Sequence, residues 1–234
     1  MAEKEFVNLL HVMFVIDRSG SMAGRETDVI GGFNQYIADI KADRHNKYRV
    51  SLMTFNQDHE MILDDVSLGR VRKLTKADYR PSGWTALYDA MGAGMEALTA
   101  RLRTEGKPFG EGNVLFVTIT DGEENSSQQY THHTLQAAIS PRKDAGWQFV
   151  YLGDNVDVAH DGLRIGIGHG STTTFQDTGV AYKNMAAATM DYATASSSAR
   201  AGGQSASTDD FVNTYLGNVM YSNAPQTDDD KHGG

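Results

Sequence analysis

An unbroken apolar run, Val12-Met13-Phe14-Val15-Ile16, leads directly into Asp17-Arg18-Ser19-Gly20-Ser21. Apolar residues at every position, rather than at alternate ones, predict a parallel strand buried on both faces. A carboxylate and two hydroxyls, spaced at every second residue, then stand where that strand must end. Open α/β folds bind their ligands at the carboxyl ends of parallel strands. Three hard oxygen donors on one turn suit a hard cation such as Mg²⁺. The competing reading of Asp and Ser after a strand is an Asx turn or a cap on the next helix.

Two further segments repeat the arrangement. Val114-Leu115-Phe116-Val117-Thr118-Ile119-Thr120 is a second buried-strand pattern, and it runs into Asp121-Gly122. Ser82-Gly83-Trp84-Thr85 precedes a helical pattern over 86–104, in which Leu87, Met91, Met95, Leu98 and Leu102 recur at helical spacing. Gly92 and Gly94 within that pattern cost helix propensity and predict close packing against a sheet.

The remaining pattern is alternating. Strands are predicted at 9–17, 49–55, 60–66, 113–120, 147–152 and 171–175. Helices are predicted near 27–41, 86–104, 134–143 and 156–165, with Pro141 expected to break or kink the third. The short polar turn Asn56-Gln57-Asp58-His59 joins two of the strands as a hairpin, which implies one antiparallel edge strand. Parallel neighbours require crossover helices, and crossovers are right-handed. The fold class is therefore α/β, a doubly wound, Rossmann-like, mostly parallel sheet with helices on both faces.

Asp17-x-Ser19-x-Ser21, the Thr85 loop and Thr120-Asp121-Gly122, in this order, resemble the von Willebrand factor A (vWA) family over roughly residues 6–175. The resemblance implies strand order 3-2-1-4-5-6 and a metal-ion-dependent adhesion site in the crevice between strands one and four. By that resemblance Ser19, Ser21 and Thr85 are hydroxyl ligands of Mg²⁺, with Mn²⁺ or Ca²⁺ as alternatives, and Asp17 and Asp121 act mostly through water. Neutral ligands leave the cation electrophilic, so it can accept an Asp or Glu carboxylate from a protein partner. Trp84 stands where the family more often has a small residue; it is either a partner-facing anchor on the rim or a core residue. Glu123 and Glu124 follow Asp121 and either raise the local negative charge or point to solvent. Arg80 closes a basic stretch (Arg70, Arg72, Lys73, Lys76) facing only Asp78, read either as a solvated loop or as a rim attracting an acidic partner.

Bulk properties exclude several classes. A net charge of -9 disfavours general nucleic-acid binding. A mean hydropathy of -0.43 and the lack of a long apolar stretch argue against a membrane span. The charged start Met1-Ala2-Glu3-Lys4-Glu5 does not read as a signal peptide, so a cytoplasmic protein is expected. With no cysteine there is no thiolate chemistry. The chain divides into a vWA domain (1–176), a helical extension (177–221) packing on that domain or on a partner, and a disordered acidic tail (222–234).

The expected function is that of a non-enzymatic, metal-dependent adaptor or assembly factor, of a kind that occurs in bacteria, phages and eukaryotes. A Mg²⁺-dependent phosphohydrolase of haloacid dehalogenase type is disfavoured, because Ser19 stands where a second Asp would serve as general acid. A self-assembling homo-oligomer using Asp228–Asp230 as carboxylate donors is the third reading.

Overall fold

The computed structural model describes residues 9–106, 113–153, 156–168, 172–174 and 178–201. Its central strand is β1 (Leu9–Asp17), paired in parallel with β2 (Lys47–Phe55) on one side and β4 (Asn113–Thr120) on the other. β3 (His59–Ser67) returns antiparallel to β2 at the edge, while β5 (Trp147–Gly153) and β6 (Thr172–Thr174) extend the other half in parallel. The order is β3-β2-β1-β4-β5-β6. Chain connections from β1 and β4 leave in opposite directions, so a crevice opens at their carboxyl ends.

Among the described residues four α-helices connect strands, α1 (Glu26–Ile40), α2 (Leu87–Thr104), α3 (His132–Asp144) and α4 (Val156–Arg164), and α5 (Thr178–Ala201) follows β6. The pleat divides the core in two. Val12, Phe14 and Ile16 of β1 join Phe33, Tyr36 and Ile40 of α1 and Tyr182, Met185 and Tyr192 of α5. Met13 and Val15, one residue out of phase, join Met91, Met95 and Leu98 of α2 and Leu135 and Ile139 of α3. Phe14 sits edge-on to both Phe33 and Tyr36, with ring centroids 5.4 and 4.9 Å away. Complete burial of such a side chain stabilises by roughly 1.5–3 kcal/mol. A sheet covered on both faces is what the uninterrupted apolar run required.

Two sequence expectations need correction. Helix α3 runs through Pro141 to Asp144 without breaking. Proline lies in the last turn, where the missing N–H removes a single bond, to the Ala137 carbonyl, and its own carbonyl still accepts the Ala145 N–H at 3.1 Å. Gly94 does pack on the sheet, since a Cβ there would lie 2.9 Å from Met13 Cε, but Gly92 instead lies under the Tyr130 ring of the loop preceding α3. Residues 178–201 form α5, which packs on α1. Residues 202–221 and the acidic tail lie outside the described residues.

Candidate functional site

Register brings the first pair of site residues together. Ile16 pairs with Ile119, so the next residues, Asp17 and Thr120, emerge side by side on the α2 face of the sheet. Thr120 Oγ1 donates to Asp17 Oδ2 at 2.6 Å, and Asp17 Oδ1 accepts the Ser19 N–H at 2.6 Å. Tyr79 Oη donates to the Asp17 carbonyl at 2.5 Å. The Asx turn anticipated as an alternative is therefore present. The cap is not: Ser19 begins a short 3-10 turn, Gly20–Met22, and makes no side-chain cap bond to it. Its hydroxyl lies 3.0 Å from that of Ser21, which donates to Asp121 Oδ1 at 2.7 Å.

Gly122 locates the centre of this group. A Cβ added there would stand 3.3 Å from both the Ser21 and Thr85 hydroxyls and 3.9 Å from Asp17 Oδ2. Oxygen atoms from three chain segments thus surround a cradle kept open by the absence of a side chain.

Backbone pairing holds Thr85 in place. Gly20 N–H donates to Gly83 O (3.0 Å) and Ser82 N–H to Arg18 O (2.8 Å), joining the loops after β1 and before α2. Gly83, at φ +78, turns the chain where a side chain would collide with Gln57. Thr85 N–H donates to Asn125 Oδ1 (2.9 Å), and Thr85 O accepts from the backbone of Asn125 and Ser126. The start of α2 has no cap of its own. The loop after β4 supplies one: Glu124 Oε2 accepts Tyr88 N–H at 2.9 Å and Ser127 Oγ accepts Asp89 N–H at 3.1 Å. Asp89 in return accepts the N–H groups of Gln128, Gln129 and Tyr130.

Asp17 is fully buried, and among the described residues no cationic side chain pairs with it. Burial pushes its carboxyl up to about 6, against hydrogen bonds from Thr120 and Ser19 that favour the charged form; the Asp121 charge adds to the rise. Asp121 faces Arg25, whose Nε lies 3.9 Å from Oδ2. Among the described residues no group of three or more His, Cys, Asp and Glu side chains is arranged to hold a metal. A cation here would have to be bound by hydroxyls with two flanking carboxylates, a hard, oxygen-only donor set of the kind Mg²⁺ takes. The buried Asp17, hydrogen-bonded but ion-paired with no cationic side chain among the described residues, and the open cradle at Gly122 fit such an ion.

Asp17, Ser19, Ser21, Thr85 and Asp121 therefore share one locus. Of the rim residues, Trp84 is 69% exposed and is not in the core. Arg80 is exposed. Its basic stretch is partly neutralised, since Arg72 grips Asp78 with two bonds of 2.8 and 2.7 Å. Glu123 is exposed and lines a polar recess of about 320 Å³ with Tyr88 and Asp161. Glu124 is not a free charge, because its carboxylate accepts from Tyr88, Ser126 and Ser127. Sequence reasoning missed the supporting residues Tyr79, Asn125 and Arg25, and named Thr120 only as part of the motif around Asp121. Only Thr120 carried a signal, as a polar residue closing an apolar strand beside Asp121.

The von Willebrand factor type A domain model matches residues 11–188. No curated protein matches the chain. Among solved structures, the PilB minor pilin from Streptococcus sanguinis superposes with a TM-score of 0.60 at 14% identity, over 80% of this chain and 63% of the pilin. Proximal thread matrix protein 1 from the mussel byssus gives 0.54 at 18% identity, over 80% of this chain and 46% of that protein. The same mussel protein with a zinc-occupied MIDAS motif gives 0.51 at 19% identity, again over 80% and 46%. These similarities carry the fold and no more, and this chain spans less than two thirds of each of those proteins. Sheet order, the β1–β4 crevice and a family match over most of its length agree: the chain belongs to the von Willebrand factor type A domain family.

Proposed function

We propose that the chain is a divalent-cation-dependent protein-binding module that captures a partner's Asp or Glu at the crevice between β1 and β4. The observation that carries this reading is a fully buried Asp17 carboxylate, paired with no cationic side chain among the described residues and facing a cradle bordered by the Ser21 and Thr85 hydroxyls. A buried carboxylate with hydrogen bonds but no ion partner is costly, and a bound cation compensates it. Ser19, Ser21 and Thr85 would hold the ion, with Asp17 and Asp121 fixing waters and hydroxyls around it. When bound, the ion supplies an electrophilic vertex for an incoming carboxylate. Mg²⁺ is the proposed resident ion, with Mn²⁺ and Ca²⁺ as oxygen-preferring substitutes.

The chain's own residues do the rest. Thr120 and the Ser19 N–H orient Asp17, Asn125 fixes Thr85, and Trp84 offers an apolar contact beside the opening. None of these roles requires a nucleophile or a general acid. The test is titration calorimetry with Mg²⁺, joined to partner capture with Mg²⁺ and with EDTA. Saturable Mg²⁺ binding that is lost in Asp17→Ala and Ser21→Ala, with capture abolished by EDTA, is expected. Capture indifferent to both EDTA and Asp17→Ala would remove the reading.

A further inference from the structure

We infer that Arg25 clamps the incoming carboxylate of the partner and at the same time limits the affinity of the site for its cation. This rests on the cation site proposed above.

The helix-cap position does not itself call for an arginine. Arg25 is the N-cap of α1 and makes no side-chain capping bond. That position favours Ser, Thr, Asp or Asn. A positive charge there also opposes the helix dipole, whose N-terminal end is itself positive. Glu26 and Asp28 in the first turn suit the dipole; Arg25 does not.

Across the crevice Arg25 meets a carboxylate. Arg25 Nε lies 3.9 Å from Asp121 Oδ2, while Oδ1 of the same carboxylate accepts the Ser21 hydroxyl at 2.7 Å. The Asp121 side chain is 4% exposed and that of Arg25 34%, so the guanidinium reaches inward from the solvent edge of the site. Among the described residues no other cationic side chain is ion-paired with Asp17 or Asp121.

Two consequences of opposite sign follow. A fixed positive charge beside Asp121 cancels part of the attraction that draws a cation to the cradle. The same planar fork of N–H donors matches a carboxylate and adds a second, charge-assisted anchor for a ligand arriving at the ion. One residue thus weakens cation binding and strengthens carboxylate binding, which a merely structural arginine would not do.

The experiment uses the full chain, with Mn²⁺ binding followed by electron paramagnetic resonance. Carboxylate binding to the Mn²⁺-loaded protein is followed by water-proton relaxation, with a blocked Gly-Asp-Gly peptide as probe. Arg25→Gln is expected to tighten Mn²⁺ about threefold to tenfold and to weaken the peptide by a similar factor. Arg25→Lys, which keeps the charge and loses the fork, should leave Mn²⁺ affinity near wild type and still weaken the peptide. Unchanged or weaker Mn²⁺ binding in Arg25→Gln, or unchanged peptide affinity, overturns the inference while the cation site stands. A wild-type protein that binds no Mn²⁺, or an Asp17→Ala variant that binds it equally well, refutes the cation site and the inference with it.

Discussion

The hydroxyl of Thr120, the last residue of β4, donates a 2.6 Å hydrogen bond to the carboxylate of Asp17, the last residue of β1. Strand register alone makes this contact. It spans 103 residues of sequence and sets the orientation of the buried carboxylate before any ligand is considered.

Thr120→Val therefore removes the donor while keeping the shape. Leaving a buried acceptor without its partner costs about 1–3 kcal/mol, and the expected loss in urea unfolding lies in that range. On the proposed reading, Mg²⁺ affinity falls about tenfold, the usual effect of removing a group that orients a ligand. Thr120→Ser, which retains the hydroxyl, should restore both. A variant with unaltered Mg²⁺ affinity in calorimetry would show that Asp17 needs no such support.

Asn125 tests the positioning of Thr85 in the same way. Its Oδ1 accepts the Thr85 N–H at 2.9 Å, and the side chain lies at the surface, so little core packing is at stake. Asn125→Ala is expected to lower Mg²⁺ affinity about tenfold with a small change in stability. Asn125→Asp preserves an acceptor oxygen and should recover most of the affinity. Equal affinities for all three proteins, measured by calorimetry, would detach Thr85 from the ion.

How much of this was legible in the sequence follows from how each residue signals. The apolar runs of β1 and β4 announce buried parallel strands, and Asp17, Ser19, Ser21, Thr85 and Asp121 stand at their ends or at a helix start. Those contacts are rooted in strand periodicity and chain order, which one sequence displays. Asn125, Tyr79 and Arg25 are polar or amphipathic residues in loops without periodicity. Their roles arise only when loops 20–25, 79–85 and 121–130 are brought together by the sheet. The exchange of caps between Glu124 and the start of α2, and between Asp89 and residues 128–130, has the same origin. Gly92 was misread because its partner, Tyr130, belongs to such a loop and not to the sheet.

Trp84 separates binding from folding. Because it is 69% exposed, truncation leaves little apolar area to lose on folding. Trp84→Ala should change unfolding free energy by no more than about 0.5 kcal/mol and leave Mg²⁺ binding untouched. Partner affinity should fall by about tenfold or more, as for an aromatic anchor at an interface. If partner affinity were unaffected, as judged by surface plasmon resonance, the contact surface would lie elsewhere around the crevice.

At the opposite end of the sheet, Asp65 governs the response to acid. Its side chain is 2% exposed and meets Arg49 Nε at 2.6 Å, His11 Nδ1 at 3.0 Å and Arg101 Nε at 3.2 Å. Burial pushes its carboxyl up, but the His11 hydrogen bond and the charges of His11, Arg49 and Arg101 outweigh it and hold the group below the ordinary value of 3.8. A carboxyl with a depressed folded pKa stabilises the fold fully above its unfolded pKa, and that stabilisation is lost as pH falls through the folded value. Wild-type stability should therefore drop as pH falls below about 4. Asp65→Asn is the informative change, because Asp65 sits at φ 48 and asparagine tolerates that left-handed backbone. At pH 7 it should cost about 1–3 kcal/mol, the effect of weakening the hydrogen bonds of a buried group, because Arg49 and Arg101 are 32% and 40% exposed and water screens the charge they are left with. Below pH 4 the difference between the two proteins should narrow, since protonation removes from the wild type what the substitution removes permanently. Urea unfolding from pH 7 to pH 2 reads this directly, and curves that stay parallel throughout would show that Asp65 contributes nothing to acid sensitivity.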